Sequence, residues 1–497
     1  MQKLNLSSKG EAASSLPIRA IQFGTGNFIR CFIDWMIYKT NEQGLFNGRV
    51  LALQCTPHGN SVPKLKEQDC LFTTVLNSYV DGKACQEIDL VNAIADVKNP
   101  YDEWESVLCA ATDENVQFIF SNTTEAGITF SEESPFNTDV CPQSFPGKLT
   151  AMLFERFKAL KGNAKAGLWI VPCELIEDNG LELKRIVLKH ADEQNLGDEF
   201  KAYVNEQCRF LNTLVDRVVS GFPYAEKEQY NEKLGYEDKL ISCGEKFHFL
   251  AIEGGADVAE ALPFAKAGLN VVVADDITPY RVRKVRILNG AHTANVPAAV
   301  LSLLETVDEM MANEVTGKFA RSVIYDEIIP SLKLDKDMLV KFADDVVARF
   351  SDPALHHQLT DILMNCTSKI NARVIPTILD ARAKGVLPMK LCFALAAYIA
   401  LYKNATQVPV VVQLSNGKTK EFYDDAYAVD VISSAWTHYR KNEASAVFVV
   451  QAVLSDSKLW GCNLSSDIDL VVITSRLLHA IISDGAMATM RDLLEHY

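Results

Sequence analysis

The sequence predicts a two-domain α/β protein, with a parallel sheet in its N-terminal half and a mostly helical C-terminal half. In the first half, short apolar runs alternate with helical stretches, which is typical of a parallel sheet covered by helices. After about residue 276, long segments of helical periodicity dominate. The 497 residues also exceed what one hydrophobic core usually serves. We therefore expect a boundary near residues 276–283, which divides the chain into residues 1–278 and 279–497.

The individual elements follow from these patterns. Strands are predicted at residues 18–23, 49–54, 116–121, 166–171 and 270–275, and the first is followed by a helical segment over residues 27–44. Helices are predicted within residues 352–385 and 387–403. One stretch of the second half differs, because Asn416 and Gly417 lie between β-forming residues and predict a hairpin over residues 408–423.

Composition excludes several classes of protein. The net charge of −15, from 49 basic and 64 acidic residues, argues against a nucleic-acid partner. The 12 cysteines are scattered and form no CxxC pair, so neither a zinc ribbon nor a thioredoxin-like motif is indicated. No signal core is found, and no run reaches the roughly 18 apolar residues of a membrane span. We expect a cytoplasmic protein, without a membrane partner, that acts on a small molecule.

A glycine loop follows the first predicted strand in "IQFGTGNFIR". Gly24 permits a tight turn, and Gly26 lets a pyrophosphate approach the backbone at the start of a helix. Ile29 stands where a third glycine would complete the dinucleotide fingerprint, so a plain strand-to-helix turn is the alternative. The expected cofactor-binding residues of this loop are Phe23, Gly24, Thr25, Gly26, Asn27, Phe28, Ile29 and Arg30.

A second polar loop, "SNTTEAG" at residues 121–127, suits the nicotinamide half of a dinucleotide. A polar turn that caps the next helix is equally compatible with the pattern. After the second strand, "LQCTPHGN" offers neither an acid for the adenosine ribose nor a cation for a 2′-phosphate, which leans towards NAD. The expected cofactor-binding residues of the second loop are Asn122, Thr123, Thr124 and Glu125.

The stretch "DITPYRVRKVRILNGAHTANVP" predicts a helix that starts near Thr278 and carries Lys284, Asn289 and His292. At about 100° per residue these three lie near 0°, 140° and 80°, so all can lean towards one cleft. Transfer of a hydride between an alcohol and a ketone needs a group that exchanges the hydroxyl proton and donors for the charged oxygen. A desolvated lysine, an amide and an imidazole supply them without a metal. Gly290 suggests that another backbone or a substrate comes close. Three unrelated polar residues are the alternative.

The Lys-x4-Asn-x2-His spacing resembles the signature of the mannitol dehydrogenase family of long-chain polyol dehydrogenases. The resemblance covers nearly the whole chain. It implies a Rossmann-like NAD-binding domain, Lys284 as the general acid/base, and Asn289 and His292 as the residues that position the reacting oxygens. It also implies that Asp216, in "VDRV", and Lys369 contact the substrate. Segments such as "VPCELIEDNG" and "SKINARVIP" resemble one branch of the family, whose substrate is a sugar acid.

Two departures from the polyol-oxidising relatives support that branch. Those relatives carry Cys-Asp-Asn where this chain has Cys173, Glu174 and Leu175, so the amide they aim at the substrate is missing. Asn179 is a candidate replacement. An arginine of the polyol enzymes is replaced by Asp361. Both changes indicate a different substrate head group.

A sugar acid brings a carboxylate, which needs nearby cations. Lys369 and Arg373 are four residues apart and therefore on the same face of a predicted helix. Both are expected to bind the substrate. The alternative for Arg373 is an ion pair with Asp361 or Asp380.

Other functions remain open at this point. A sister activity on another uronate or on a neutral ketose would use the same fold. A cofactor-sensing protein without enzymatic activity, or a hydroxy-acid dehydrogenase that also decarboxylates its product, would be a different class. The sequence is compatible with a monomer or a small homo-oligomer.

Overall fold

The computed structural model describes residues 2–9, 15–80, 83–136, 139–353 and 357–497, except for the side chains of residues 8, 9, 79, 80 and 125. The chain forms two compact units, Met1–Ile277 and Thr278–Tyr497, which are called the N-terminal and C-terminal units below.

A six-stranded sheet organises the N-terminal unit. Its strands are β1 (Ile18–Phe23), β2 (Arg49–Leu53), β3 (Ile94–Lys98), β4 (Phe118–Ser121), β5 (Trp169–Pro172) and β6 (Arg209–Phe210). Their order is β3-β2-β1-β4-β5-β6, and every neighbouring pair is parallel. This is the doubly wound order of dinucleotide-binding domains. The strand order reverses between the neighbouring parallel strands β1 and β4. The carboxyl ends of those two strands, Phe23 and Ser121, pair with each other and mark the expected ligand crevice.

The prediction for residues 270–275 needs a correction. The strand exists as Val271–Ala274, but it pairs in parallel with Phe249–Glu253 in a separate three-stranded sheet, together with Thr213–Asp216. An apolar run predicts a buried strand without specifying its partner, since pairing is a long-range choice. A further four-stranded sheet, not predicted, contains Val219–Gly221, Ser242–Glu245, Phe72–Val80 and Lys83–Val91, and Gln2–Lys3 pairs in parallel with Tyr236–Glu237.

Helices cover the main sheet of the N-terminal unit. The helix after the glycine loop runs over residues 27–41 and widens into a π-helical turn at Arg30–Asp34. The other helical segments of this unit are Leu6–Lys9, Ser61–Glu67, Trp104–Ala111, Glu125–Gly127 (a 3₁₀ turn), Phe145–Ala159, Asn179–Glu193, Asp198–Glu206, Lys227–Leu234 and Ala256–Ala261.

The C-terminal unit is mostly helical. Three of its helices contain a π-helical turn: residues 278–301 with the turn Lys284–Asn289, residues 314–331 with Val323–Ile328, and residues 366–383 with Ile370–Val374. The remaining helical segments are Val307–Ala312, Lys336–Phe350, Leu359–Leu363, Met389–Leu401, Ala426–Trp436, Glu443–Leu454, Ser457–Trp460, Leu464–Ser466 (a 3₁₀ turn), Ile468–Asp484 and Ala486–His496. The predicted hairpin is confirmed, with Val410–Gln413 antiparallel to Thr419–Phe422.

The core of the C-terminal unit surrounds the helix Met389–Leu401, whose residues from Lys390 onwards are all buried. It packs against Gly290–Leu301 and Ile468–Asp484, which explains its apolar sequence on every face. The helix that carries the predicted catalytic residues is thus anchored on the central helix of its unit. No helix among the described residues has both the length and the apolar composition that a membrane span requires. The predicted fold class, a Rossmann-like domain followed by a mostly helical one, is confirmed.

Candidate active site

The two glycines of the first loop have different structural roles. Gly24 has φ +123°, and a Cβ there would lie 2.8 Å from the carbonyl oxygen of Asn122. Only glycine fits that backbone conformation and that approach of the two loops. Gly26 has an ordinary extended backbone, and a Cβ there would meet nothing within 4 Å. The space above Gly26, at the start of the helix over residues 27–41, is the room a pyrophosphate needs, so the loop fits a dinucleotide.

The other residues of the loop pack against or hydrogen-bond to its own backbone and neighbours. Phe23 and Ile29 are fully buried, and Phe28 stacks on Phe32 with ring centroids 5.1 Å apart. The buried guanidinium of Arg30 donates to the carbonyl oxygen of Thr25, to Oδ1 of Asn27 at 2.8 Å and to Oγ of Ser242 at 3.0 Å. Arg30 therefore fixes the shape of the loop through both Nη atoms, while its buried Nε has no hydrogen-bond partner among the described residues.

A buried carboxylate organises the second loop. Oε1 of Glu174 accepts hydrogen bonds from the backbone N–H of Thr123 at 2.9 Å and from its hydroxyl at 3.0 Å. Oε2 accepts from the hydroxyl of Ser121 at 2.9 Å. Burial raises the pKa of Glu174, and these hydrogen bonds oppose the rise. Sequence reasoning noticed Glu174 only as a departure from relatives, although an acid directly after an apolar strand is a signal of such a role.

A cavity of about 320 Å³ lies beside these loops, at the carboxyl ends of β2 and β4. Thr124 is exposed on it, while Asn122 donates from its amide to the carbonyl oxygen of Cys173 at 3.1 Å. The side chain of Glu125 lies outside the part of the chain that the structure describes. Among the side chains that the structure describes, the lining includes no charged one; the lining residues are Cys55, Thr56, Thr123, Thr124, Ala126, Gly127, Thr129, Phe130, Ser131, Gln143, Ser144 and Phe145.

Two predicted substrate residues lie at the ends of elements of the N-terminal unit: Asn179 starts the helix Asn179–Glu193, and Asp216 ends the strand Thr213–Asp216. Asn179 is fully buried, and its amide donates to Oγ1 of Thr213 at 3.0 Å and to the carbonyl oxygen of Pro172 at 3.2 Å. Its Oδ1 accepts from the backbone N–H of Thr213 at 2.9 Å. Asn179 thus ties β5 to the strand Thr213–Asp216, and this geometry favours a structural role for it. Asp216, the last residue of that strand, is 6% exposed.

The helix that carries the predicted catalytic residues departs from regular α-helical geometry between Lys284 and Asn289. The backbone N–H of Gly290 donates to the carbonyl oxygen of Val285, five residues back, which closes a π-helical turn over Lys284–Asn289. In such a turn, residues five apart lie nearly above one another. Lys284 and Asn289 therefore project from the helix axis in more similar directions than a regular α-helix predicts. A Cβ on Gly290 would lie 3.5 Å from the carbonyl oxygen of Arg373, an ordinary contact. Another backbone does come close, but it does not require glycine.

His292 is held as a neutral ring. Its ring stacks on Phe350 with centroids 3.8 Å apart. The ring of His357 is nearly perpendicular to it, with a centroid distance of 5.4 Å. Burial lowers the pKa of His292 well below its ordinary value, and the positive charges of His357, Arg349, Arg373 and Lys369 lower it further. Its Nε2 is shielded from solvent and has no hydrogen-bond partner among the described residues. A neutral imidazole with a spare nitrogen can bind a substrate hydroxyl.

The two predicted substrate cations lie beside the catalytic helix. The π-helical turns Lys284–Asn289 and Ile370–Val374 pack together, and Nη1 of Arg373 is 3.3 Å from Oγ1 of Thr293. Nζ of Lys369 donates to the carbonyl oxygen of Ile362 at 2.8 Å. Burial lowers the pKa of both cations, and the charge of Arg373 adds to the lowering at Lys369.

The charge of Asp424 partly opposes the lowering of the Lys369 pKa, but neither cation forms an ion pair with a described carboxylate of its unit. Asp380, one of the two carboxylates that could have paired with Arg373, instead accepts from Arg286 at 2.6 Å. The pair therefore keeps its positive charge available for a ligand.

Asp424 was missed by sequence reasoning. One of its carboxylate oxygens accepts from the backbone N–H of Thr367 at 2.9 Å, from the Thr367 hydroxyl at 2.7 Å and from the hydroxyl of Tyr402. It thereby fixes the start of the helix that carries Lys369 and Arg373. No local pattern announces this contact, because Asp424 is 57 positions away from Thr367.

Comparisons with known proteins agree with this geometry. The chain matches the mannitol dehydrogenase Rossmann domain over residues 18–266 and the mannitol dehydrogenase C-terminal domain over residues 276–481. An altronate oxidoreductase from Halalkalibacterium halodurans is 39% identical over 484 residues, covering 97% of this chain and 94% of that relative. An altronate oxidoreductase from Bacillus subtilis is 38% identical, covering 94% of this chain and 92% of that relative. A solved structure of Pseudomonas fluorescens mannitol 2-dehydrogenase, a ternary complex with NAD and D-mannitol, shares the fold with a TM-score of 0.72 at 19% identity and covers 100% of both chains.

Proposed function

Because the chain belongs to the mannitol dehydrogenase family and is an NAD-dependent oxidoreductase that acts on CH–OH groups, we propose that it interconverts D-altronate and D-tagaturonate. The reaction is a step of hexuronate breakdown, and we place it in the cytoplasm. The names of the relatives at 38–39% identity support altronate as one member of this pair. The domain limits and the residue roles below are part of the proposal.

The observation that carries the choice of a sugar acid is that Lys369 and Arg373 form no ion pair with any described carboxylate of the C-terminal unit. A chain with a net charge of −15 repels an anionic substrate at long range, so close cations must hold it. Two partly buried cations without a carboxylate partner are costly unless a ligand anion compensates them. A neutral polyol would leave them without an ion-pair partner among the described residues, whereas a uronate brings one carboxylate to the pair.

In the proposed mechanism, the glycine loop and the second loop would hold the dinucleotide, which would supply a hydride as NADH or accept one as NAD. Lys284 exchanges the proton of the reacting hydroxyl as general acid/base. Asn289, brought into line with it by the π-helical turn, donates from its amide to the oxygen on which negative charge grows. His292 binds a neighbouring hydroxyl through Nε2, and its lowered pKa keeps the ring neutral.

A substrate panel tests the proposal. NADH oxidation would be measured with D-tagaturonate, D-fructuronate and D-fructose at matched concentrations. We expect the highest catalytic efficiency on tagaturonate and the lowest on fructose. A preference for fructuronate would assign a sister activity on the same fold, and a preference for fructose would show that the cations do not serve a carboxylate.

A further inference from the structure

Two polar side chains, Gln22 and Asp34, meet inside an apolar layer of the N-terminal unit. Gln22 lies in β1, and Asp34 ends the π-helical turn of the helix over residues 27–41. Both are fully buried, and the apolar core between this helix and the sheet includes Ala20 and Phe32. Burial of an amide and a carboxyl group costs free energy unless each satisfies the other. The mechanism proposed above uses neither residue, so their presence needs its own explanation.

The side-chain amide of Gln22 connects Asp34 to the glycine loop. Its Nε2 donates to the carbonyl oxygen of Gly24 at 3.0 Å and to Oδ2 of Asp34 at 3.2 Å. Because only an N–H group can donate to a carbonyl oxygen, these contacts fix which way the amide points. They also use both N–H groups of the amide. Asp34 is thus one side chain away from the backbone of the glycine loop.

The remaining two oxygens of the pair are both buried. Oε1 of Gln22 and Oδ1 of Asp34 have no hydrogen-bond partner among the described residues. An ionised carboxylate only accepts hydrogen bonds, so ionised Asp34 cannot satisfy Oε1 of Gln22. A protonated carboxyl group has one O–H donor. A proton on Oδ1 would give Oε1 its donor and close a cyclic acid–amide pair, which accounts for both buried oxygens at once.

The charged groups around Asp34 are compatible with a proton on it. Burial raises the pKa of Asp34 to about 7, although the hydrogen bond from Gln22 and the charge of Arg30 oppose the rise. The neighbouring strand Ser242–Glu245 packs against the same π-helical turn. There Arg217 donates to the carbonyl oxygen of Cys31, and Glu245 accepts from the backbone N–H of Val218 at 2.6 Å.

The carbonyl group of Gly24 has a direct bearing on cofactor binding. A trans peptide is planar, so a carbonyl that points inwards to Gln22 turns the N–H group of Thr25 outwards. The carbonyl of Thr25 is held in turn by the guanidinium of Arg30. Outward N–H groups at the start of a helix are what a pyrophosphate binds. Gln22 and Arg30 therefore hold two successive peptide planes of the glycine loop.

We propose that protonated Asp34 and Gln22 form a cyclic acid–amide pair that positions the Gly24 carbonyl, and that ionisation of Asp34 weakens NADH binding. Both are positioning residues, because they act through the backbone of Gly24. On ionisation, Oδ1 and Oε1 repel each other, and the amide turns both N–H groups towards the carboxylate, which releases the Gly24 carbonyl. The proposal uses the cofactor but not the identity of the sugar acid, so its failure would leave the substrate assignment intact.

NADH titrations of the full chain at about pH 6 and about pH 8 test the proposal. We expect the dissociation constant of the parent to rise about 3- to 10-fold between the two pH values. In Asp34→Asn the amide N–H replaces the acid O–H, so NADH should bind as tightly at both values as it does to the parent at about pH 6. Gln22→Met has no donor for Gly24 and should bind NADH weakly at both.

The matched control is Glu327→Gln. Burial raises the pKa of Glu327 to about 7 as well, but this residue lies in the C-terminal unit and accepts from the backbone N–H groups of Lys390 and Leu391 at 2.8 Å. Glu327→Gln should therefore keep the pH dependence of NADH binding that the parent shows. This control separates a proton that acts on the glycine loop from a proton that acts on stability alone.

Infrared spectroscopy supplies a readout that does not depend on NADH. The difference spectrum between the parent and Asp34→Asn should contain the carbonyl stretch of a protonated carboxyl group, which disappears as the pH rises through about 7. Absence of this band at about pH 6 would overturn the proposal. An NADH affinity of the parent that does not change with pH would overturn it too, as would an equal pH dependence in Asp34→Asn. The infrared band and Asp34→Asn keep the test decisive if Gln22→Met does not fold.

Discussion

The glycine loop of the N-terminal unit and the predicted catalytic helix of the C-terminal unit, residues 278–301, are built in different ways. The loop takes its shape from a few consecutive residues at the end of β1, held by the φ of +123° at Gly24. The C-terminal site combines residues as far apart as Lys284 and Arg373, and its angular arrangement depends on two π-helical turns. A local motif can be understood from its own residues, whereas a site assembled over long sequence distances depends on backbone details that periodicity does not reveal.

The largest effect is expected at Lys284, whose role depends on the C-terminal arrangement. Lys284→Ala should lower kcat by about 10² to 10⁴-fold, because general acid/base catalysis is lost, while NADH affinity changes little. Steady-state kinetics with tagaturonate and NADH binding by fluorescence would measure both. Lys284→Arg keeps a positive charge but cannot exchange a proton at neutral pH, so it should be almost as inactive. Activity within a few-fold of the parent in either variant would show that another group transfers the proton.

Two substitutions in the glycine loop separate its contribution to stability from its contribution to NADH binding. Gly24→Ala should lower the free energy of unfolding by about 2–3 kcal/mol, because alanine must adopt a left-handed φ and its Cβ would approach the carbonyl oxygen of Asn122. Gly26→Ala should leave stability almost unchanged but weaken NADH binding at least about 10-fold, since its Cβ fills the space for the pyrophosphate. Thermal unfolding and NADH titration would be measured for both. Loss of stability in Gly26→Ala, with NADH binding retained, would reverse the two roles.

This contrast also explains how far the sequence could be read. The strand Ile18–Phe23 and the Asn416-Gly417 hairpin were predicted with the bounds or the turn that the structure has, because both depend on neighbouring residues. The angles predicted for Lys284, Asn289 and His292 assumed a regular helix, and the inserted π-helical turn changes them.

Long-range contacts were beyond prediction for the same reason. Glu174 and Asp424 acquire their roles from hydrogen-bond partners 51 and 57 positions away, which no local pattern specifies. Lys369 was a candidate because it matches a residue of the resembling family, but only the structure brings Lys369 and Arg373 beside His292, where neither forms an ion pair with a described carboxylate of that unit.

Each unit also contains a carboxyl group whose pKa is strongly raised, which allows the stabilities of the two units to be compared by pH. Burial raises the pKa of Asp34, in the N-terminal unit, and of Glu327, in the C-terminal unit, to about 7. A raised pKa means that the folded state binds the proton more tightly than the unfolded chain. The contribution to stability is therefore complete below the unfolded pKa of about 4 and is lost as the pH rises through about 7.

The amide side chains in Asp34→Asn and Glu327→Gln cannot ionise. In each variant the free energy of unfolding should therefore fall less between about pH 5 and pH 8 than it does in the parent. We expect a difference of the order of 2 kcal/mol for each variant relative to the parent. Denaturant unfolding at the two pH values would measure it. A pH dependence identical to that of the parent would show that the carboxyl group stays ionised in the folded state.

The smallest effect is expected at Lys369, and it tests whether the long-range arrangement of the C-terminal unit recognises the carboxylate. Lys369→Met removes the charge while keeping an apolar stem of similar length. We expect the KM for tagaturonate to rise at least about 10-fold, which corresponds to a loss of about 1.4 kcal/mol, modest for a charge-assisted hydrogen bond. The KM for fructose should change much less, because fructose has no carboxylate.

The control for this variant is Lys318→Met, since Lys318 is an exposed residue of the same unit that pairs with Glu314 at 3.0 Å. It should leave both KM values unchanged, which separates the loss of a site charge from the loss of any charge. An equal rise in KM for tagaturonate and fructose in Lys369→Met would show that Lys369 binds a hydroxyl common to both. Arg373 would then be the remaining cation of the pair for the carboxylate, because it lies beside Lys369 and the catalytic helix.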